Sequence, residues 1–444
     1  VNATPCAGRR EQGAVSRAPG GGTDGPDVAG PHLLRRLGLR DAVVLGLGSM
    51  VGAGIFAALS PAARAAGRWL PLAVVVAGLV AWCNATSSGR LAAVHPQAGG
   101  TYVYATARLG PAWGHLAGWG FVVGKTASCA AMAFTVGAYA APGHPRTAGL
   151  AGLAVAVLLG TGGLQRGARL TRVLLGAALA ALAVVVVVAW VSPAGPPAGE
   201  ALAGPPGRPG LYGLLQGAGL MFFAFAGYAR IATLGEEVRE PRRTIPRAVA
   251  LALGLAVALY LTVVVSALHA LDAPGLAAVP APLAAVVAGV PGGWAPQIVR
   301  AGAVAASLGA LLALLLGVSR VAFAMARDRL LPGLLTGVRR GVPFTAELVV
   351  AGVVAALVLV ADLRHVIGFS STTVLAYYAI THLAAWRLRP DEGRPHLAVL
   401  ALGLGGCVVL ALTLPPASVL AGTGVLLVGA LTGRLTTLRA TRGG

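Results

Sequence analysis

Negative charge is scarce in this chain, and so are lysine, cysteine and aromatic residues. Fourteen Asp and Glu stand against 34 Lys and Arg in 444 residues, and Lys125 is the single lysine. Charged residues make up 11% of the chain, aromatic residues 5% and hydrophobic residues 57%, with a mean hydropathy of +0.79. So few charges cannot cover the surface of a water-soluble protein of this length. That excludes a cytosolic enzyme and a disordered chain. Cys6, Cys83, Cys129 and Cys407 lie far apart, three of them in apolar stretches, so they form neither a metal-ligand spacing nor a disulfide framework. They read as ordinary buried thiols. Residues 1–30 are rich in Gly, Ala and Pro with mixed charges and lack a cleavable signal pattern, so residues 1–37 are expected to form a disordered cytoplasmic tail.

What the chain has instead is long apolar runs bounded by Arg, Pro and Gly clusters. The runs predict membrane spans near residues 42–65, 70–94, 113–141, 147–163, 171–191, 213–234, 247–270, 296–320, 344–361, 366–386, 396–412 and 415–433. Twelve unbroken runs of this length lack the alternation of a β-barrel, so the expected fold class is an all-α polytopic membrane protein.

The net charge of +20 invites a nucleic-acid reading, which the placement of the arginines removes. Twenty-six arginines fall in the tails and in every second loop on the amino-terminal side. Six fall on the other side: Arg64, Arg68, Arg146, Arg208, Arg300 and Arg364. By the positive-inside rule both termini are cytoplasmic, in a multi-pass protein of the cell membrane. The basic excess follows topology and forms no patch for nucleic acid.

Two runs are interrupted by glycine. The first reads Gly46-Leu-Gly-Ser-Met-Val-Gly-Ala-Gly-Ile-Phe56, and the sixth reads Gly217-Ala-Gly-Leu-Met-Phe-Phe-Ala-Phe-Ala-Gly-Tyr-Ala-Arg230. Each opens one half of a ten-helix set, as the discontinuous helices of inverted-repeat transporters do. Backbone left unpaired in lipid must face a cavity. The amides near Gly52, Ala53 and Gly54 could then hold a carboxylate at a half-helix start, and carbonyls near Ser49, Met50, Phe223 and Ala226 could accept from an ammonium group. From glycine alone, close helix packing explains these residues equally well.

Four motifs add a family resemblance. Gly48-Ser-Met-Val-Gly-Ala-Gly-Ile-Phe56 resembles the first-helix motif of the amino acid-polyamine-organocation permeases, and Pro96-Gln-Ala-Gly-Gly-Thr-Tyr-Val-Tyr104 resembles the segment after their second helix. Phe222-Phe-Ala-Phe-Ala-Gly-Tyr228 with Gly235-Glu-Glu-Val-Arg-Glu-Pro-Arg-Arg-Thr-Ile-Pro-Arg247 is similar to the sixth helix and its loop. Ser319-Arg-Val-Ala-Phe-Ala-Met-Ala-Arg-Asp328, ending in Leu330-Leu-Pro332, is similar to the end of the eighth.

The resemblance implies a five-plus-five inverted repeat, with helices 1–5 in 38–191 and 6–10 in 213–386. Two further helices would follow in 396–433, then a cytoplasmic tail in 434–444. It implies Gly52, Ala53 and Gly54 as the carboxylate site, Phe223 as an aromatic gate over the substrate, and Phe225, Ala226 and Gly227 lining the unwound stretch. Many members carry Phe-Glu after the glycine of the sixth helix, whereas Tyr228 and Ala229 follow Gly227 here. A role tied to that glutamate does not transfer.

Ionisable residues inside spans stand out against this background. An ammonium group near the bilayer centre is unfavourable by about 2.5–3.5 kcal/mol on insertion scales, which marks Lys125 as a functional candidate. It would carry the coupled proton, replace a bound cation or touch the substrate carboxylate; the alternative is a structural lysine bonded to carbonyls. A sodium site would want hydroxyls where helices 1 and 8 meet, and Leu308 to Gly317 has none, so proton coupling is preferred. Arg230, Glu236 and Glu237, with Arg239, Arg242 and Arg243, are candidates for an inner gate, with a solvated charge cluster as the alternative. His269, His365 and His382 are expected at the surface near span ends, and Glu347 has no assigned role.

Together these features point to a secondary transporter taking up an amino acid with a proton by alternating access. The alternatives are an amine or polyamine carrier, an exchanger, or a non-transporting amino acid sensor. No His/Asp/Glu cluster or nucleophile elbow of a membrane-embedded enzyme is present in the sequence, and the reading calls for no cofactor or metal.

Overall fold

The computed structural model describes residues 38–52, 54–95, 99–161, 168–192, 210–228, 238, 240–339 and 341–442. The expected tail in 1–37, together with Ala53, Arg230, Glu236, Glu237 and Arg239, lies outside the described residues. Among the described residues the chain is helical, apart from turns and one isolated bridge between Arg339 and Val342.

The first expected span forms as two helices, α1 (Leu39–Val51) and α2 (Gly54–Ala66). Then follow α3 (Leu70–Val94), a short α4 (Thr101–Leu109), α5 (Pro111–Ala140), α6 (Pro145–Thr161) and α7 (Ala168–Val191). The sixth span is α8 (Leu211–Phe225), closed by a 3-10 turn over Ala226–Tyr228. The rest comprises α9 (Pro241–Ala278), α10 (Pro282–Val286), α11 (Trp294–Arg327), α12 (Phe344–Val360), α13 (Leu363–Trp386), α14 (Leu397–Thr413) and α15 (Pro416–Arg442). Several helices start on proline, which is tolerated in a first turn because the missing N–H has no intrahelical partner there. The helix α9 outruns its expected span and bends at Asp272, whose φ of 53° is left-handed; its Oδ1 accepts from Gly275 N at 2.8 Å and caps the following segment. At the carboxyl end, α15 continues as helix to Arg442, beyond the expected span end at 433.

Among the described residues, seven helical stretches are long and apolar enough to cross a bilayer, and Pro145–Gly160, Phe344–Val360 and Leu397–Thr413 are shorter apolar helices. The α13 helix is polar for a span because it runs through the interior, with Ser370, Ser371, Thr372, Thr373, Thr381 and His382 all buried. The protein is an all-α polytopic membrane protein. Its helix contacts come in matched sets: α1–α2 lies on α9 as α8 lies on α3, α7 on α11 as α13 on α5, and α6 on α11 as α12 on α5. In the centre α5 packs along both α11 and α13.

One buried polar cluster corrects an expectation. His382 is fully buried rather than at the surface, because α13 is covered at that point by α3 and α14. Its Nε2 lies 2.7 Å from Asn84 Oδ1 and its Nδ1 lies 3.0 Å from Ser87 Oγ. Cys407 Sγ donates to the same Asn84 oxygen at 3.2 Å. Asn84 Oδ1 is acceptor-only, so Nε2 carries the proton and Nδ1 accepts from Ser87. His269 and His365 are exposed, as expected.

The α4 helix is a strap tied down along its length. At its start, Thr101 N donates to Tyr377 Oη at 3.0 Å and Thr101 Oγ1 lies 2.7 Å from Thr381 Oγ1, both on α13. Tyr102 Oη donates to Asp328 Oδ2 at 2.9 Å, at the end of α11. Burial and that bond push the Tyr102 phenol up to about 12, so it remains a donor at physiological pH. At its far end Arg108 holds Glu392 with two bonds of 3.0 and 2.6 Å, and its Nε donates to His95 Nε2 at 3.0 Å.

The Arg108 bonds hold the Glu392 carboxyl down to about 2, helped by Arg389 N. Burial and Arg108 lower the His95 imidazole. Both groups therefore favour the strap in their high-pH forms: the Glu392 contribution is full above the ordinary carboxylate range and is lost as pH falls towards 2, and the His95 acceptor is lost on protonation. We expect the melting temperature of the purified protein to drop as pH is lowered from 5 to 3, and the drop to shrink in Glu392→Gln, as measured by thermal unfolding in detergent across that range.

Candidate functional site

The two interruptions expected from glycine meet each other. Ser49 Oγ lies 2.8 Å from Gly46 O in its own helix and 2.8 Å from Gly227 O in the 3-10 turn after α8. One hydroxyl proton is thus offered to carbonyls of both broken helices. Glycine is required for this approach: a Cβ on Gly227 would collide with the Ser49 carbonyl, and one on Gly54 would collide with Ala224. Gly52 faces α11, where a Cβ would stand 3.1 Å from Ala310 Cβ and 3.5 Å from Ala306 O. Outward of the break, α2 and α8 stay in contact where Gly217 packs on Ala66.

The local chemistry differs in detail from the expectation. Ser49 and Met50 are not unwound; they lie in the last turn of α1, where the final four carbonyls lack intrahelical partners in any case. Gly52, which follows α1, keeps helical dihedrals (φ −51°, ψ −50°), and Ala53, between it and α2, lies outside the described residues. Gly54 opens α2, so its amide is among those free at a helix start. On the other side the Phe222 and Phe223 carbonyls accept from Ala226 N, closing α8. The Ala224 carbonyl accepts from Tyr260 Oη on α9 at 3.1 Å. Phe223, Phe225 and Ala226 are buried. Phe225 packs on the Tyr260 ring at 5.0 Å, and Tyr228 packs on Tyr378 of α13 at 5.3 Å.

Lys125 is buried in α5 and makes no hydrogen bond or ion pair among the described residues. Its neighbour Gly124 packs on Thr373 and Val374 of α13, one helical turn before Tyr377, which binds the start of α4, and Tyr378, which packs on Tyr228.

Two polar residues near the junction escaped the sequence reading. Tyr260 was the lone hydroxyl-bearing ring in an apolar stretch of α9. Ser307 immediately precedes the hydroxyl-free run 308–317; it is fully buried and its Oγ has no partner among the described residues. Glu347 is also buried, without a partner for either oxygen, over Gly160 of α6. No group of three or more His, Cys, Asp or Glu that could hold a metal occurs among the described residues.

Two interrupted helices that abut inside an all-helical membrane bundle define a class, that of polytopic permeases with broken helices. Comparison with known proteins gives the family: the amino acid permease family matches residues 41–389, and the chain belongs to it. An uncharacterized transporter of Mycobacterium tuberculosis is 54% identical over 402 residues, 90% of each chain. A branched-chain amino acid permease of Bacillus subtilis is 26% identical over 401 residues, covering 82% of this chain and 83% of its own. Human cationic amino acid transporter 4 is 30% identical over 392 residues, 82% of this chain and 61% of the human protein.

Forcing a side chain into a packed backbone contact typically destabilises by about 1–3 kcal/mol. We expect Gly54→Ala and Gly227→Ala each to lower the melting temperature and abolish uptake. Gly254→Ala, where a Cβ meets nothing within 4 Å, should leave both unchanged; thermal unfolding and uptake assays on the three variants check this.

Proposed function

We propose that the protein is a secondary active transporter that takes up an amino acid across the cytoplasmic membrane by alternating access, coupled to a proton. The observation that carries this reading is the Ser49 hydroxyl held between the two interrupted helices. It brings a free helix start at Gly54 close to the unpaired carbonyls at the end of α1. Amides with positive dipole character suit a carboxylate, and free carbonyls suit an ammonium group, so one zwitterion answers both. In this reading Gly52, Ala53 and Gly54 hold the carboxylate, and Ser49, Met50, Phe225, Ala226 and Gly227 complete the site. Phe223 acts as the gate over it.

The two repeats are 38–191 and 213–386, a division supported by the matched helix pairs described above, with 396–433 added outside them. Both termini are cytoplasmic, supported by the arginine distribution. Motion of one repeat element against another opens the site to one side at a time. On the inner side the gate comprises Arg230, Glu236 and Glu237, and α4 is the strap that must loosen when it opens.

Lys125 is the proton-coupling residue. Being buried and unpaired favours a group that exchanges a proton as its surroundings open and close. Ser307 supplies a hydroxyl near the α1–α11 contact, which makes sodium a control that the experiment must include.

The test is counterflow and uptake in proteoliposomes with a panel of amino acids and amines, with and without an imposed pH or sodium gradient. The expected result is exchange of at least one amino acid, with uptake driven by an inward proton gradient and indifferent to sodium. Lys125→Gln should retain counterflow and lose the response to the proton gradient. Exchange of amines alone would overturn the amino acid reading, and full proton coupling in a folded Lys125→Gln would overturn the role of the lysine.

A further inference from the structure

We infer that the site selects neutral amino acids with apolar side chains and rejects arginine and lysine. This rests on the transport reading above and adds the substrate class. The observations are the charge along the path and the character of the walls.

Apart from Ser49, Tyr260 and Ser307, the side chains named at the junction are apolar. Met50, Phe56, Phe223, Phe225 and Ala226 are buried there, and the Ser49 hydroxyl is already engaged by two carbonyls. No carboxylate occurs anywhere in α2, α3, α5, α8, α11 or α13; α9, which also packs on α1 and α2, carries Asp272, whose Oδ1 is engaged by Gly275 N. The single acid of α1 is Asp41 in its first turn, bound to Arg172 at 2.9 Å. Glu347 lies in α12 over Gly160 of α6, outside that set. A cationic side chain entering the junction would find no counter-ion, and an unpaired buried charge is strongly unfavourable.

Glu236 and Glu237, assigned above to the inner gate, lie outside the described residues. Among the described residues near the path, the charges without a bonded acid are positive: Lys125, buried in α5, and the pair Arg64, which closes α2, and Arg364, which opens α13, near enough to act on each other electrostatically. Neither guanidinium is neutralised by a bonded acid. Arg64 Nη2 donates to Ala277 O at 2.8 Å, and Arg364 Nη2 donates to Gln216 Oε1 at 3.0 Å. Gln216 is in turn anchored by Nε2 to Thr413 O at 3.0 Å, and Arg364 Nε is buried without a partner. The neighbouring carboxylate, Asp362, lies near enough to attract Arg364 and is bound by the His365 backbone N–H and by its imidazole Nδ1.

A zwitterion with an apolar side chain passes this arrangement with its carboxylate attracted and its ammonium balanced within the same molecule. Arginine or lysine carries a second positive charge past Arg64 and Arg364 and into apolar walls. Similarity at 30% to a cationic amino acid transporter therefore does not carry that transporter's named specificity to this chain.

The experiment is homo-counterflow in proteoliposomes of the full-length protein, each preloaded with unlabelled leucine, alanine, arginine or lysine and given the same labelled compound outside. Leucine or alanine should accumulate at least tenfold more than arginine or lysine. Accumulation of arginine or lysine equal to or above the neutral pair overturns this inference and leaves the transport reading standing. Failure of all four, with exchange of an amine in the same vesicles, overturns the amino acid reading on which this inference rests. A second arm uses Arg64→Gln/Arg364→Gln: the arginine-to-leucine ratio should rise at least threefold, and an unchanged ratio in the folded variant overturns the part assigned to these charges. Should that variant not fold, competition on the wild type replaces it; excess leucine should suppress labelled leucine uptake, and inhibition by arginine of equal strength overturns the inference.

Discussion

A serine hydroxyl shared between Gly46 O and Gly227 O ties together the two places where membrane helices stop short. Everything central to the fold depends on that arrangement being tolerable in an apolar medium. A backbone group without a partner in the bilayer is unfavourable by several kcal/mol, so a helix can break only where other parts of the protein answer its free groups. Here the answers come from Ser49, from the amide of Ala226 onto the last carbonyls of α8, and from Tyr260 onto Ala224 O. The amide at the start of α2 and the carbonyls at the end of α1 are what remain, and they are the polar groups of the proposed site.

Close approach is the second condition. Gly54 and Gly227 remove the side chains that would separate α2 from α8 and α1 from the 3-10 turn, and Gly52 does the same towards α11. Around this junction the long α5 packs against both α11 and α13, so the polar face of α13 is kept inside. That burial explains why His382, Asn84, Ser87 and Cys407 form a bonded cluster in a helix whose composition alone looks too polar for a span. The ends of the bundle are handled differently, by charged and hydroxyl contacts along α4.

Much of the plan was legible in the residues. Apolar runs and Arg, Pro and Gly punctuation located the helices, and glycine clusters at 46–54 and 217–227 located the interruptions. What stayed hidden involved partners distant in sequence. Ser49 and Gly227 are 178 residues apart, Arg108 and Glu392 are 284 apart, and Asn84 and His382 are 298 apart. Periodicity carries no information on such pairs. Ser307 was missed for a narrower reason, since it sits one position before the window in which a hydroxyl was sought.

The scarcity of acidic residues and the excess of apolar ones determined by themselves that the chain is a helical membrane protein, because solvation of side chains is a property of composition. Hydropathy and glycine placement determined where helices run and where they break, because backbone hydrogen bonding in lipid is a local requirement. Only the tertiary structure decided that the two breaks touch, that Lys125 is buried with no bonded acid among the described residues, and that His382 is buried. Those facts depend on which helix faces come together, and that is settled by side-chain volumes and contacts across the whole bundle.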